Sequence, residues 1–132
     1  MPGQRASLEL IEDFLAQKRI VIVGTSREAK SMSEAVFKEL SKRGYDDVPV
    51  NPNVQEMLGR KCFAGVQDIQ PPVDGALLMT SPTVAEAVVK GCAECGIKRV
   101  WMHKGVGEGS VSAKAIEACR EHGIRVIPGK VR

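Results

Sequence analysis

Residues 20–26 read Ile-Val-Ile-Val-Gly-Thr-Ser, an apolar β-branched run that breaks into a small, polar turn. A run with no polar alternation suits a strand buried on both faces, as parallel strands are. Gly24 allows a tight turn, and the helix expected after it would present its first amides to the end of the strand. Free amides at a helix start bind phosphate. The segment therefore predicts a parallel α/β sheet with an anion-binding turn at its carboxyl edge.

The rest of the chain repeats this alternation. Leu8, Ile11 and Leu15 recur at helical spacing, with Ser7 as the expected N-cap. A helix is expected from about Met32 to Lys42, opened by a capping box at Ser31-Met32-Ser33-Glu34 and closed by Gly44. Strands are expected at Val48–Val50, Gly75–Met79, Lys98–Met102 and Ile124–Ile127, with a short edge strand at Cys62–Phe63. Helices are expected from Pro82 to about Cys95 and from Ser110 to Glu121. Strictly alternating strands and helices predict a doubly wound parallel sheet with helices on both faces. At 132 residues, with no linker or low-complexity tract, the chain reads as one domain over 1–132.

Composition removes several functions. A net charge of +3, spread over isolated basic pairs, lacks the basic stripe of a nucleic-acid binder. Aromatic residues make up 4% of the chain, too few for base-stacking platforms. No apolar run approaches the ~20 residues needed to span a membrane, and the N-terminus lacks a signal-peptide core. Four cysteines without such a signal suggest free thiols and a cytoplasmic location. Cys92-x-x-Cys95 and Cys119-x-x-His122 fall on apolar helical stripes with Val84, Val88, Ala115 and Ile116, so core packing is expected in place of a metal site. The Cys92–Cys95 pair also ends its helix, where the dipole disfavours a reactive thiolate.

In such a sheet, ligands bind beyond the carboxyl ends of the strands where strand order reverses. With the expected order 3-2-1-4-5-6, counting the edge strand third, that place lies between Ile20–Val23 and Gly75–Met79. Its lip would carry Gly24, Thr25 and Ser26 on one side and Thr80, Ser81 and Pro82 on the other. Trp101-Met102-His103-Lys104-Gly105 follows one strand further along. An NAD fingerprint needs three spaced glycines and an acidic residue closing the second strand. Only Gly24 is present, and the second strand ends at Asn51, with Asp46 and Asp47 at its other end. A nucleotide other than NAD fits better, and an NAD(P)-binding regulator stays as a lesser alternative.

Four stretches then carry a resemblance: IVIVGTS, GYDDVPVNPN with LGRKCF, PVDGALL, and GIKRVWMHKG. In order and spacing they resemble the small CoA-binding proteins related to the N-terminal domain of the succinyl-CoA synthetase α-subunit, over about residues 18–128. That resemblance implies a Rossmann-like fold and coenzyme A as ligand, with no independent catalysis and no catalytic residue assigned. It implies that Gly24, Thr25, Ser26 and Arg27 meet the CoA phosphates, with Lys30 adding charge. Asn51 and Pro52 would flank the adenosine, and Thr80, Ser81 and Pro82 would sit at the crevice. Met102, His103, Lys104 and Gly105 would approach the pantetheine arm. This chain has His103 where the family usually has Gln, and Thr80-Ser81 where many relatives have prolines. The reading is a CoA or acyl-CoA binding protein acting as sensor, carrier or accessory module. A separated subunit of an NDP-forming acyl-CoA synthetase, working with a partner subunit, is the alternative. A homo-oligomer remains open, as does a purely structural role in oligomerisation.

Overall fold

The computed structural model describes residues 2–24, 28–51, 55–57, 59–69, 73–103 and 112–128. Its elements are helix α1 (Pro2–Leu15), strand β1 (Arg19–Gly24), helix α2 (Glu28–Lys42) and strand β2 (Asp46–Val50). A two-residue hairpin follows, β3 (Glu56–Met57) with β4 (Arg60–Lys61), and then a 3-10 turn at Val66–Asp68. Strand β5 (Gly75–Met79), helix α3 (Pro82–Glu94), strand β6 (Arg99–Met102), helix α4 (Ala113–Glu121) and strand β7 (Arg125–Pro128) complete the order.

Five strands form one parallel sheet in the order β2-β1-β5-β6-β7. Strand order reverses between β1 and β5, where Val23 lies opposite Leu78 and Gly24 opposite Met79. This is the α/β Rossmann-like architecture. The expected third strand is reduced to one parallel bridge, Phe63 to Val50. Phe63 donates its amide to the Pro49 carbonyl at 3.0 Å and accepts from the Asn51 amide at 2.9 Å. Ala64-Gly65 and the 3-10 turn then lead the chain away from the edge.

Both faces of the sheet are covered, which explains the unbroken apolar runs. On one face Val21, Val23, Val50, Ala76, Leu78, Val100, Met102 and Val126 pack with Ala85, Val89 and Cys92 of α3 and Ala115 and Cys119 of α4. On the other, Ile22 and Met79 pack with Phe37 of α2, and Ile20 and Ile127 pack with Phe14 of α1. Trp101 meets Phe14 edge to face, with ring centroids 5.5 Å apart. Asp13 anchors α1 from the same side through Arg99 Nε at 2.7 Å and Arg125 Nη1 at 3.2 Å.

Two helix starts differ from the sequence-based expectation. α2 begins at Glu28, so Ser31–Glu34 lie within the helix and form no capping box at its start. Glu28, Ala29 and Lys30 are good helix formers and extend it toward β1. α1 likewise begins at Pro2, which suits a first helical position, and Ser7 lies inside it. The last helix opens two residues after the expected Ser110, at Ser112, whose hydroxyl accepts from the Ala115 amide at 3.2 Å. The β3–β4 hairpin was not foreseen.

Candidate functional site

Two helices begin beside the reversal point. Helix α2 starts four residues after Gly24, and helix α3 starts at Pro82, three residues after the end of β5. Each brings the positive end of its dipole to the same stretch of the carboxyl edge. Ser81 caps α3 by accepting from the Val84 amide at 3.3 Å. Thr80 is nearly buried and donates its hydroxyl to the Ser81 carbonyl at 3.0 Å. The polar residues at this lip therefore shape the turn, while the helix starts supply the electropositive field.

Beside the lip, a cavity of about 140 Å³ opens on the α3 face of the sheet. Its floor is Val23 and Val50 at the ends of β1 and β2. The 64–67 segment forms one wall, and Ala87, Val88 and Gly91 of α3 form the other. Its lining is mostly apolar, with the Gln67 side chain as a polar element. Gly91 allows the two walls to close on each other: a Cβ there would lie 2.8 Å from Gln67 Nε2 and 3.1 Å from Val66 Cγ2. Sequence reasoning missed Ala64–Gln67 and the α3 wall. A glycine in mid-helix costs about 1 kcal/mol relative to alanine, so Gly91 was the available signal for a close approach.

The structure brings part of the expected constellation together. Gly24, Thr80, Ser81 and Pro82 all lie on the carboxyl edge around the reversal. Asn51 directly follows β2 there, 1% exposed. Lys30 lies in the first turn of α2, and its side chain is outside what the structure describes. Thr25, Ser26, Arg27, Pro52, Lys104 and Gly105 lie outside the described residues. Met102 requires a correction. Its side chain is 0% exposed and belongs to the core packed on α3 and α4, because strand alternation turns it inward. It has no free side chain to offer a ligand.

His103 is placed differently. Its amide donates to the Leu78 carbonyl at 2.9 Å and extends the β5–β6 ladder by one residue. Its ring is half-buried, and burial holds its pKa below the usual histidine range. Its Nε2 is covered and has no hydrogen-bond partner among the described residues.

The thiols are core groups, as their helical stripe implied. Cys92 and Cys119 are 0% exposed. Burial raises the Cys119 thiol to about 11 and pushes Cys92 higher still, with the nearby thiols adding to the Cys92 shift. Cys95 donates to the Gly91 carbonyl at 3.0 Å and is also raised, chiefly by burial. Among the described residues no group of three His, Cys, Asp or Glu side chains could hold a metal ion. Among the same residues no helix is long and apolar enough to cross a membrane.

A parallel doubly wound sheet, with two helix starts at its reversal point and an apolar cavity beside them, defines an α/β domain of the Rossmann-like class. The chain belongs to the CoA binding domain family, whose profile matches residues 18–130. It is 29% identical over 119 residues to protein YneT of Bacillus subtilis, a match covering 90% of this chain and 85% of that protein. It is 27% identical over 124 residues to ADP-forming acetate–CoA ligase II of Archaeoglobus fulgidus. That match takes in 88% of this chain but only 18% of the ligase. Among solved structures, a hypothetical protein from Pyrococcus horikoshii superposes with a TM-score of 0.83 at 28% identity, covering 94% of this chain and 84% of that one. The similarity to synthetases of the succinyl-CoA type runs through this CoA-binding part.

Proposed function

We propose that this protein binds coenzyme A or an acyl ester of it, as a sensor, carrier or accessory module without a complete catalytic apparatus of its own. The observation that carries this reading is the apolar cavity floored by Val23 and Val50 beside the helix starts at the reversal point. An adenine ring suits apolar walls with one amide at the rim, and a pyrophosphate suits helix N-termini. A ligand spanning both would leave its arm along the carboxyl edge toward β6. The family assignment supports CoA over other adenine nucleotides. The position of Asn51 directly after β2, with no acidic residue there to bond a ribose 2′-hydroxyl, weighs against NAD.

A second reading is a subunit of an NDP-forming acyl-CoA synthetase. It is favoured by the similarity to ADP-forming acetate–CoA ligases, including the α-subunit of the Pyrococcus furiosus enzyme, of which this chain spans 27%. On this reading the nucleotide chemistry belongs to a partner subunit, and activity appears only on mixing.

Native mass spectrometry of the purified protein tests the ligand class. A bound mass equal to CoA or an acyl-CoA, retained when NADH is added, is the expected result. A bound nicotinamide dinucleotide that CoA does not displace would overturn the reading.

A further inference from the structure

Two large apolar side chains stand exposed among the described residues, and both lie on α1: Leu8 is 54% and Leu15 44% exposed. Two helical turns apart, they share a face turned away from Leu10 and Phe14, which pack into the core. Single exposed leucines are ordinary, but this pair borders charges that are also left open. The last turn of α1 carries two carboxylates, Glu12 and Asp13, at the negative end of its dipole, and no basic residue. Asp13 is matched by Arg99 and Arg125. Glu12 is exposed and has no ion-pair partner among the described residues.

The complementary charge sits just past the helix end. A cleft of about 240 Å³ opens there, where α1 and α2 finish, with Leu15, Lys18, Arg43 and Tyr45 among its lining residues. Arg43 pairs with Glu39 of α2. Lys18 is exposed and, like Glu12, has no ion-pair partner among the described residues. Glu12 and Lys18 stand three residues to either side of Leu15. A two-fold axis beside Leu15 would therefore set α1 antiparallel to its copy, Leu15 against Leu15, with each Glu12 opposite Lys18 of the other copy. The two Glu12 residues would stay about 9 Å apart along the helices. Leu8, about 10 Å along the helix from Leu15, would reach past the end of the copy's α1 and over its cleft. Such a surface is self-complementary, as a two-fold interface requires.

We infer that the α1 face around Leu8, Glu12 and Leu15 is a two-fold interface with a second copy of this chain, closed by Glu12–Lys18 ion pairs and by Leu8 seated over the cleft. The interface lies at the amino edge of the sheet, at the opposite end of β1 from Gly24, and leaves the carboxyl edge open. It does not depend on the CoA reading. One helix face and one cleft make a small interface, so the expected affinity is in the micromolar range.

Sedimentation equilibrium of the full chain over a concentration series is the test, with circular dichroism checking the fold of each variant. The parent should show a monomer–dimer equilibrium. Leu15→Asp should weaken the dimer at least tenfold, because it brings two carboxylates together at the axis and removes the apolar contact. Glu12→Lys and Lys18→Glu should each weaken it about tenfold, since the dimer loses two attractive pairs and gains two repulsive ones. The double variant Glu12→Lys/Lys18→Glu should recover most of that loss, because the pairs return with their signs exchanged. A parent that stays monomeric throughout would overturn the inference and leave this face to a different partner. A dimer indifferent to these substitutions, or a double variant no tighter than the single ones, would overturn it as well.

Discussion

Phe14 lies directly against the backbone of Gly75: a Cβ on Gly75 would sit 2.9 Å from Phe14 Cε2. This contact seats the end of α1 on the start of β5 and closes the core on the face away from the cavity. Gly75→Ala forces the ring aside and should destabilise the protein by about 1–3 kcal/mol, the usual cost of overpacking. Thermal unfolding measures the loss, and adding Phe14→Leu to Gly75→Ala should recover part of it.

Two aspartates should give opposite pH dependences of stability. Asp13 is held below the usual carboxylate range, first by its hydrogen bond to Arg99 and also by Arg125. Its contribution is present above about pH 4, the unfolded value, and is lost as pH falls through the depressed folded one. Asp47 is 1% exposed, and the Ser41 hydroxyl lies 2.7 and 3.0 Å from its two oxygens. Burial raises its pKa, so its contribution is present at acid pH and is lost as pH rises through the raised value. In urea titrations between about pH 2 and 8, Asp13→Asn should lose stability at neutral pH and converge on the parent only below about pH 4, as pH falls through the depressed folded value. Asp47→Asn should remove the decline that Asp47 imposes as pH rises.

The cysteines should behave as packing residues. Iodoacetamide at pH 8 should leave Cys92 and Cys119 unmodified in the folded protein, because both are buried and their thiolates are disfavoured. Peptide mass spectrometry should find all four sites labelled after denaturation. Rapid native labelling of Cys92 would contradict the packing described.

Filling the cavity should impair binding while leaving the sheet intact. Val88 is partly buried on α3 and lines the cavity. Val88→Phe should weaken CoA at least tenfold, read by titration, with an unchanged circular dichroism spectrum. Equal affinity in the variant would place the adenine elsewhere.

The sheet was legible in the sequence because its strands announce themselves. The Ile20–Val23 and Gly75–Met79 runs are apolar on both faces, and Gly44, Gly96 and Gly123 close the intervening helices with positive φ. Their alternation with helical stripes points to a doubly wound parallel sheet, and the strand order usual for such a sheet gives the reversal point between β1 and β5. Helix starts were less legible, since Ser7 and Ser31 have the chemistry of caps but sit inside helices that good helix formers extend backward. The cavity wall at Ala64–Gln67 was hidden for another reason. It carries no periodicity, and its role comes from the approach of the 3-10 turn to Gly91, a contact between segments distant in the chain. Met102 shows the limit of assigning a site by position along the sequence, because neighbouring residues at a strand end face opposite ways.

The central claim is tested most directly by titrating CoA into the protein and its Gly24→Val variant by isothermal calorimetry, with folding checked in both. Gly24 closes β1 opposite Met79 at the reversal point, and a branched side chain there would block the approach of a phosphate to the turn. The account expects one CoA per chain at micromolar-scale affinity for the parent and at least a hundredfold loss for the variant. A folded parent that takes up no CoA or acyl-CoA, or a variant that binds as tightly as the parent, would contradict it.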